Sequence, residues 1–504
     1  MPVLYRAQAR LLACLVAGAA AVGALVFAPS AGASNLGNTY LALGDSLAYG
    51  YHQAQFQKEL KEKGFVEPAT FNDGYADDFG AALKLSNPKN STINDGCPGE
   101  TTETFIKGSG KAGYCAGGPT GTPFPYAFLH HSYSSGSQLE DALAILKENP
   151  SVSPITLDIG ANDVLQFLAH TCGFPKEYTC TEKQVAEEFY KIAENVTLIL
   201  GKLHAAAPAA KILLIGSYNP YPLILPPPGG DKSAAFLNGL LGPGPGSSSA
   251  LVPGTSFVNS LPSFNPSVVS KGPESEDIPT ICAYTGMCPG GKYNPESSEA
   301  DIHPTTLGYK VIAELLQGAF PAPHYTADSA VVGTEPRTVL SWGTLMLKTA
   351  GGGSGEVVCH TAGVGTVANP TGKGPGVGAT ELLATLRCES TTCPFSSVVT
   401  AESLPSVSVL QQEGTTIRVK GTGGKIKVEC RKEGKTESSE TFVGGTQPIS
   451  KPGTSALHPG VLEFGTGSGE LEAEGSGGAI TATIEGELKM LGYEEQELIN
   501  TNTK

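Results

Sequence analysis

Between about residues 38 and 325, short apolar runs alternate with longer stretches in which apolar residues recur every three or four positions. Runs of the first kind are typical of buried strands, and the second spacing is typical of amphipathic helices. Their alternation predicts an α/β domain with a central parallel sheet. Three of its strands are predicted at residues 40–43, 155–159 and 211–215.

A long helix is predicted between the second and third of these strands. Thr181 and Gln184 have the spacing of a capping box, in which each side chain bonds the backbone N–H of the other residue. Apolar residues then recur at helical spacing from Val185 to Leu203. This helix is therefore expected to be the crossover of a βαβ unit. A shorter helix is predicted at about residues 138–147.

Residues 220–273 are rich in proline, glycine and serine, and include the run Pro226-Pro227-Pro228-Gly229-Gly230. We interpret this stretch as long loops that decorate the α/β domain. Two roles remain open for them, because such loops either shape a substrate cleft or form a solvated insertion.

After about residue 327 the helical spacing ends, and short β-prone runs alternate with glycine-rich turns. This change predicts a second domain over residues 335–504, an all-β sandwich or barrel, behind an α/β domain over residues 38–325. The glycine-rich segment 351–355 is predicted to be the tip of a hairpin. The predicted strands include residues 338–340, 344–347, 416–419 and 425–428.

The amino terminus has the three parts of a secretory signal peptide. Arg6 and Arg10 precede an apolar run over residues 11–27, and Ala31-Gly32-Ala33 supplies a cleavage signal. Residues 1–33 are therefore predicted to be removed on export, which makes the mature protein extracellular. The alternative is an uncleaved anchor helix, since the apolar run approaches the length of a membrane span. The protein would then stay at the cell surface.

Charge excludes one class of partner. The 504 residues include 33 basic and 48 acidic side chains, for a formal net charge of −15, and no run of lysine and arginine occurs. Nucleic-acid binding requires a concentrated positive surface, so no nucleic-acid partner is expected.

Ten of the eleven cysteines lie beyond the predicted signal. Six are close neighbours along the chain, for which three local disulfides are the simplest pairing, and this fits an oxidising compartment. The other four allow three pairings, and the sequence does not choose among them. The predicted pairs are Cys97 with Cys115, Cys172 with Cys180, and Cys282 with Cys288; the four left open are Cys359, Cys388, Cys393 and Cys430.

No metal site is predicted. None of the cysteines forms a C-x-x-C pair with a second pair or a histidine doublet behind it, as a zinc site requires. His130-His131 is predicted to be a loop doublet, because no carboxylates stand at ligand spacing from it in the sequence.

Candidate chemistry begins at the first predicted strand, which runs into Gly44-Asp45-Ser46-Leu47. Ser46 would then lie at the carboxyl edge of the sheet, where open α/β folds bind ligands. Taken alone, such a serine is better explained as a helix cap. Three further motifs follow along the chain: Cys97-Pro98-Gly99-Glu100-Thr101, Gly160-Ala161-Asn162-Asp163 and Asp301-Ile302-His303-Pro304.

These four motifs, in this order, resemble the serine, glycine, asparagine and histidine blocks of the GDSL or SGNH hydrolases, over about residues 38–320. The neighbouring cysteines further resemble those of secreted actinobacterial members. The resemblance implies a three-layer, flavodoxin-like fold with a parallel central sheet. It also implies a serine esterase or lipase that needs no cofactor.

By the same resemblance, Ser46 is the nucleophile and His303 is the base and later the acid. The oxyanion hole is implied to combine the backbone N–H groups of Ser46 and Gly99 with the side-chain amide of Asn162. Acyl transfer needs such a nucleophile, a base within reach of it, and donors aimed at the developing oxyanion.

One position departs from the family pattern. The family usually places its orienting carboxylate three residues before the histidine, where this chain has Ala300. Asp301 stands two residues before His303 and is named as the third member of the triad. The alternative is that a backbone carbonyl near Ala300 orients the histidine.

The predicted function is a secreted, monomeric serine esterase or lipase that hydrolyses small-molecule or lipid esters through an acyl-enzyme on Ser46. One alternative is a carbohydrate esterase of the acetyl-xylan type, because the fold does not decide the substrate. A second is a cell-surface binding protein with a vestigial hydrolase domain. The β domain is predicted to be of unknown function, with cell wall or polysaccharide as possible contacts.

Overall fold

The computed structural model describes most of the chain beyond the predicted signal peptide. The predicted signal, the proline run at residues 226–228 and the tip of the predicted hairpin at residues 352–354 lie outside the described residues. Among the described residues, no helix combines the length and apolar character needed to cross a bilayer. The described ranges are residues 36–117, 123–133, 136–174, 178–222, 230–351, 355–370, 374–465, 467–493 and 496–503.

The first part of the described chain, up to residue 319, alternates strands with helices. The strands are β1 Thr39–Gly44, β2 Ser91–Asn94, β3 Tyr114–Gly117, β4 Pro123–Pro125, β5 Val152–Asp158, β6 Ile212–Ile215, β7 Thr255–Val258, β8 Thr285–Gly286 and β9 Asp301–Pro304. The helices are α1 Ser46–Tyr49, α2 Gln53–Lys63, α3 Tyr75–Ser86, α4 Thr102–Lys107, α5 Gln138–Glu148, α6 Ala161–His170, α7 Glu182–Ala206, α8 Gly230–Leu241, α9 Ser248–Leu251, α10 Leu261–Phe264, α11 Ser267–Ser270, α12 Ile278–Tyr284 and α13 Thr306–Ala319.

A five-stranded parallel sheet lies at the centre of this domain, in the order β2-β1-β5-β6-β7. This is the strand order of flavodoxin-like folds. Alternate residues of β1 face opposite layers, since Leu41 and Leu43 pack in one hydrophobic cluster and Tyr40 and Ala42 in another. The three-layer fold predicted from the motifs is therefore confirmed.

The crossover helix forms as its sequence predicts. The side chain of Thr181 accepts from the N–H of Gln184, the reciprocal bond is also made, and α7 runs on from Glu182 to Ala206. Its apolar face is buried along the length of the helix, so the periodicity seen in the sequence marks real core positions.

The interpretation of residues 220–273 as loops is wrong. This stretch contains α8, α9, α10 and α11, and it supplies β7, the edge strand of the parallel sheet. Proline and glycine mark the ends of these short elements rather than the absence of elements. A four-residue strand between proline and glycine residues is too short to show the alternation of apolar and polar positions that identifies a strand.

The rest of the chain is built almost wholly of antiparallel strands. They are β10 His324–Ala327, β11 Ala330–Val331, β12 Arg337–Ala350, β13 Gly355–Ala368, β14 Val377–Ser390, β15 Ser396–Ala401, β16 Ser406–Glu413, β17 Thr416–Lys432, β18 Lys435–Thr446, β19 Ile449–Lys451, β20 Gly460–Phe464, β21 Glu470–Ala473, β22 Thr481–Gly492 and β23 Ile499–Asn502.

Most of these strands form one sheet that closes on itself, because β12 pairs with β13 on one side and with β22 on the other. Of the two architectures left open by the sequence, the β domain is therefore a barrel. Its four cysteines are joined as Cys359 to Cys388 and Cys393 to Cys430.

Several strands predicted to be short are parts of longer ones. The runs at 338–340 and 344–347 both belong to β12, and those at 416–419 and 425–428 both belong to β17. Gly343 is not a turn: a Cβ there would lie 1.9 Å from the backbone oxygen of Glu487 on β22, so glycine allows two strands to approach. In β17 the interruption is a shift of register between Gly421 and Gly424.

The barrel packs on the α/β domain. An isolated bridge joins Leu36 to Gly414, whose N–H donates to the Leu36 carbonyl over 2.8 Å. Lys89 and Glu413 form an exposed ion pair 3.1 Å long. A small sheet of β11, β10 and β23 brings the last strand of the chain back beside the segment that leaves the α/β domain.

Candidate active site

Ser46 lies where β1 ends and the short helix α1 begins. Asp45 caps this helix, and its Oδ1 accepts from the N–H of Leu47 over 3.0 Å. Gln138 fixes the end of the strand, since its side chain bonds both the N–H and the carbonyl of Gly44, at 2.6 and 2.8 Å. The serine side chain is thus presented at the carboxyl edge of the sheet by a braced turn.

His303 reaches this serine from a distant part of the chain. Its Nε2 lies 2.9 Å from Oγ of Ser46, although 257 positions separate the two residues. The ring of Tyr51 packs against the imidazole with centroids 4.6 Å apart. The hydroxyl of Tyr218 donates to the carbonyl of Ile302 over 2.5 Å and so holds the backbone beside the histidine.

Asp301 contacts the other nitrogen of the same imidazole. Its Oδ1 lies 2.5 Å from Nδ1 of His303, and the N–H of His303 also donates to it over 3.1 Å. The second oxygen accepts from the N–H of Gln53 over 2.8 Å. The structure thus places the carboxylate itself, two residues before the histidine, against Nδ1.

The spacing of Asp301 and His303 has a simple explanation. Both lie in β9, and residues i and i+2 of a strand project from the same face. β9 pairs with β8, where a Cβ on Gly286 would lie 2.5 Å from Cβ of Asp301. Only glycine allows this close approach.

The charge state of Asp301 follows from these contacts. Burial acts to raise its pKa, but the charge of His303 and the hydrogen bonds from His303 and the Gln53 N–H outweigh it and lower the pKa below the ordinary value. The carboxylate is therefore ionised at neutral pH.

Asn162 lies at the start of α6, after Gly160, and is 7% exposed. Its Nδ2 donates to Oδ2 of Asp45 over 3.1 Å. A carboxamide nitrogen carries two hydrogens, so one remains for a ligand at Ser46. Asn162, Ser46 and His303 line the same cavity.

Gly99 is buried and has a φ of +85°, a conformation that glycine adopts without strain. Its segment is anchored next to the nucleophile turn, because the N–H of Cys97 donates to the carbonyl of Gly44 over 3.0 Å. The carboxylate of Asp163 accepts hydrogen bonds from the N–H and the hydroxyl of Thr102, at 2.8 and 2.6 Å. These bonds connect the segment after the glycine block to the asparagine block. Burial raises the pKa of Asp163 to about 6.

Three disulfides lie in the α/β domain, each joining neighbours in sequence. The bond between Cys97 and Cys115 holds the glycine block, and that between Cys282 and Cys288 flanks β8, the partner of the strand that carries His303. The third joins Cys172 to Cys180, between α6 and α7.

An apolar cavity of about 110 Å³ opens beside Ser46 and His303. Its apolar wall is formed by side chains of α6, α7 and α8 together with Tyr221, none of which the four motifs identified. Its members carry ordinary core-type side chains, and only the fold turns them toward the serine. They include Leu165, Leu168, Phe189, Tyr221, Ala234 and Leu237.

His131 has neighbours that sequence spacing did not show. Its Nδ1 lies 2.6 Å from Asp95 and 3.4 Å from Asp141, and both carboxylates are buried. The hydrogen bond that the Asp95 carboxylate accepts from His131 raises the pKa of His131. These carboxylates are not at ligand spacing from the doublet in the sequence, and the three residues meet only in the fold.

Residues 40–253 match the family model described as GDSL-like lipase/acylhydrolase. The matched interval contains Ser46, Gly99 and Asn162 and ends before His303. It confirms the resemblance and identifies the domain as one that hydrolyses carboxylic esters. No curated protein matches the chain at a significant level.

Several solved structures are similar to this chain. A lipase from a goat rumen metagenome shares 20% identity, with 56% of this chain and 96% of that chain covered and a TM-score of 0.32. Phospholipase A1 from Streptomyces albidoflavus shares 15%, with 56% and 99% covered and a TM-score of 0.33. An acetylxylan esterase from Geobacillus stearothermophilus shares 14%, with 57% and 94% covered and a TM-score of 0.31.

Proposed function

We propose that this ester hydrolase, whose amino-terminal domain resembles the GDSL-like lipases and acylhydrolases, is a secreted serine esterase acting on esters of apolar acyl chains. Ser46 is its nucleophile, His303 its general base and acid, and Asp301 the carboxylate that orients the histidine. The chain of contacts from Asp301 through His303 to Ser46, opening onto an apolar cavity, carries this proposal.

In the first step, Oγ of Ser46 attacks the carbonyl carbon of the ester while Nε2 of His303 accepts the hydroxyl proton. The imidazolium that forms has its Nδ1–H against the ionised Asp301, which stabilises the positive charge. The same contact fixes the ring so that Nε2 faces Ser46.

The tetrahedral intermediate carries a negative charge on the former carbonyl oxygen. Ser46 is the first residue of α1, so its N–H has no acceptor within the helix and is available to this oxygen. We assign the Gly99 N–H and the second Asn162 hydrogen as the other donors. Loss of one such donor costs on the order of a hundred- to a thousandfold in rate.

Collapse of the intermediate breaks the bond to the alcohol, which leaves with the proton from His303. The acyl group stays on Ser46 as an ester. Water then attacks this ester while His303 accepts its proton, and the acid product leaves as Ser46 regains its own. No step needs a Lewis acid, so activity should survive chelation of metals.

The cavity beside Ser46 favours an apolar acyl chain over acetate. Its wall is formed largely by leucine and aromatic side chains, which gain free energy when they exclude water against hydrocarbon. An acetyl group would leave most of this surface wet. The carbohydrate acetylesterase alternative therefore has less support from the site.

Hydrolysis of p-nitrophenyl esters from acetate to palmitate tests the proposal. We expect kcat/KM to rise with chain length beyond acetate, and Ser46→Ala to remove hydrolysis of every ester. Ala234→Phe should lower kcat/KM for the long esters alone, because Ala234 lines the cavity. Ala235→Phe on the same helix is the matched control, since Ala235 does not line it.

Two results would contradict the proposal. If correctly folded wild type with intact disulfides hydrolyses none of these esters, the serine esterase assignment is lost. A preference for acetate, together with rapid deacetylation of acetylated xylan, would instead support the carbohydrate esterase.

Secretion as a monomer is part of the proposal. Five disulfides among the described residues fit an oxidising compartment, and the signal-like amino terminus supplies a route of export. Mass spectrometry of the protein from the culture medium should find an amino terminus at residue 34. An intact residue 1 would support the anchored alternative.

A further inference from the structure

Two aspartates lie buried near the cavity beside Ser46, outside the contacts of the triad. Asp231 is in the first turn of α8 and is 4% exposed. Asp277 ends the 3-10 helix Glu274–Asp277 and is 0% exposed. A buried carboxylate is costly unless it is paired or hydrogen-bonded, and two that lie close together also repel each other. The hydrogen bonds of this pair therefore show in which charge state it folds.

Ser267 bridges the two carboxyl groups. Its Oγ lies 2.8 Å from Oδ2 of Asp231 and 2.8 Å from Oδ2 of Asp277. A serine hydroxyl has one hydrogen, so it donates to only one of these oxygens. The other contact is a hydrogen bond only if that carboxyl group carries a proton and donates it to Oγ. The geometry therefore requires one proton on the pair.

The other carboxyl oxygens are taken by fixed N–H donors. The N–H of Ser267 donates to Oδ1 of Asp277 over 2.7 Å. The carboxamides of Asn219 and Asn265 donate to Oδ1 of Asp231 over 2.7 and 3.1 Å. A hydrogen on either Oδ1 would point at these donors. The shared proton therefore belongs between the two Oδ2 atoms, at the Ser267 hydroxyl.

No cation neutralises the pair. Among the described residues, neither aspartate forms an ion pair with a basic side chain. Glu274 adds negative charge, and its carboxylate accepts from the N–H of Asp231. Tyr221, on the connection after β6, has a pKa raised by burial and is neutral at physiological pH. The other charged side chains on the surrounding elements are Lys232, Lys271 and Glu276, which are all exposed.

The folded pair keeps its proton at a pH where exposed aspartates have lost theirs. Burial raises the pKa of Asp231, and the contact with Asp277 raises it further. When the pH rises above that pKa, the proton leaves to solvent and both groups become carboxylates. The Ser267 hydroxyl then donates to one of them alone, and the two buried charges repel.

The bridge joins α8 to a separate part of the domain. Ser267 begins α11 and Asp277 lies just before α12, so both belong to the connection between β7 and β8. α8 supplies Ala234 and Leu237 to the wall of the cavity beside Ser46. Because the bridge is made at the first turn of α8, it sets where this wall lies.

Asn219 connects the pair to the cavity a second time. It lines the cavity, and its Nδ2 is one of the donors to Asp231. Its Oδ1 accepts from the N–H of Tyr221 over 2.9 Å, and Tyr221 also lines the cavity. A Cβ on Gly230 would lie 2.4 Å from Nδ2 of Asn219, so α8 begins in close contact with this side chain. A shift at Asp231 would thus reach the cavity from two sides.

We propose that Asp231 and Asp277 are positioning residues that share one proton through Ser267, and that this proton holds the α8 wall of the cavity in place. Loss of the proton loosens the wall and lowers the use of long acyl chains, while the contacts from Asp301 through His303 to Ser46 remain. The effect on acyl chains rests on the proposed function, because it takes this cavity as the acyl site. The sharing of the proton does not.

The ratio of kcat/KM for p-nitrophenyl decanoate to that for p-nitrophenyl acetate tests the proposal between pH 6 and pH 9. His303 titrates in both reactions, so its effect cancels in the ratio. Neither ester titrates, and the acetyl group is too short to reach α8. We expect the ratio to fall at least threefold in the wild type as the pH rises.

Asp277→Asn should hold the ratio constant over the same range. The new amide donates to Oγ of Ser267 in place of the shared proton, and its oxygen still accepts from the N–H of Ser267. Asp231→Asn should do the same from the other side of the bridge. Glu276→Gln is the matched control, since Glu276 is exposed on the same 3-10 helix, and it should keep the wild-type fall. A constant ratio in the wild type, or a wild-type fall in both asparagine variants, overturns the proposal.

Hydrogen exchange of the wild type, followed by mass spectrometry, provides a readout that needs neither a substrate nor a variant. We expect the protection of residues 230–241 in α8 to fall with rising pH relative to that of residues 182–206 in α7, which serve as the internal reference. Equal pH dependence of the two helices refutes the proposal even if esters are hydrolysed. If no ester is hydrolysed but α8 alone loses protection, the proposed function fails and the shared proton stands.

Discussion

At the scale of single residues, Asp301, the carboxylate that we propose orients His303, is the most instructive case. In the sequence, Asp301 lies one position away from the family pattern. This left open whether its carboxylate or a backbone carbonyl contacts the imidazole of His303. In the structure the pair lies in a strand, where a spacing of two keeps both side chains on one face. The departure in spacing is thus compensated by the local backbone, and the contact to Nδ1 of His303 is made.

Replacing Asp301 tests this contact. In Asp301→Asn the amide presents either a donor or a neutral oxygen to Nδ1, so the imidazolium loses its stabilising charge. We expect kcat for a p-nitrophenyl ester to fall on the order of ten-thousandfold. Glu299→Gln, on an exposed neighbour, is the matched control and should behave as wild type. An unchanged rate in Asp301→Asn would support the backbone carbonyl near Ala300.

Glu100 provides a prediction about pH. It is 3% exposed, and burial raises its pKa to about 8, far above that of an exposed glutamate. Between these two pKa values the folded protein holds a proton that the unfolded chain has released. The free energy of unfolding should therefore fall as pH rises through this range, by about 1.4 kcal/mol per pH unit.

Denaturant titrations between pH 5 and 8 measure this effect. Glu100→Gln removes the titration while keeping the shape of the side chain, so the stability of the variant should change less with pH than that of wild type. All other ionisable groups are common to both proteins and cancel in the difference. Identical slopes for wild type and variant would show that Glu100 is ionised in the folded state.

The sequence identifies candidate catalytic residues more readily than the residues that hold them in position. Ser46, Asn162 and His303 lie in short motifs that need no tertiary information to notice. Tyr51 and Tyr218, which hold the histidine and its backbone, carry no such signature because their contacts come from segments far apart in the chain. The neighbours of His131 were missed for the same reason.

At the scale of elements, whether a helix or strand could be predicted from the sequence depended on its length and on the residues at its ends. α7 spans many turns and starts with a capping box, so its period and its first residue are both visible in the sequence. β7 has four residues and no period to detect. The runs at 338–340 and 344–347 were predicted as separate strands, whereas Gly343 between them allows close packing of β12 against β22 in one continuous strand.

The pairing of β8 with β9 yields a prediction at this scale. In Gly286→Ala the added methyl would meet Asp301, because Cβ would lie 2.5 Å from Cβ of that residue. β9 must shift, and His303 with it, so kcat should fall at least tenfold while the melting temperature changes little. Gly333→Ala is the control, since nothing lies within 4 Å of its added Cβ. Wild-type kcat in Gly286→Ala would show that β9 does not set the histidine.

At the scale of the whole molecule, the α/β domain and the barrel form one compact unit from Ser34 to Lys504. The end of helical spacing near residue 327 predicts a second domain beyond it. The contact between them was not predictable, because it rests on single residues such as Leu36 and Gly414 that carry no distinctive pattern.

Removal of a barrel disulfide tests how far the two parts act separately. Cys393 and Cys430 are 37 positions apart, and a loop of that length implies a loss of about 4 kcal/mol when both become serine. Cys172 and Cys180, only 8 positions apart, imply a loss of about 2.5 kcal/mol. Denaturant unfolding should rank the two double variants in this order.

Catalysis provides the second readout of the same variants. With Cys393 and Cys430 replaced by serine, kcat on a short ester should stay at the wild-type value, because this disulfide lies in the barrel. A fall in kcat would instead mean that the barrel holds the catalytic domain in its active form.

The pairing of β10 with β23 has a consequence for protein engineering. His324 and Asn502 are partners in register, so the chain enters and leaves the barrel at points separated only by the spacing of neighbouring strands, roughly 5 Å. Modules whose ends lie this close can be grafted into a surface loop of an unrelated host without stretching it. A host that tolerates a hairpin at a given loop is therefore expected to tolerate the barrel there.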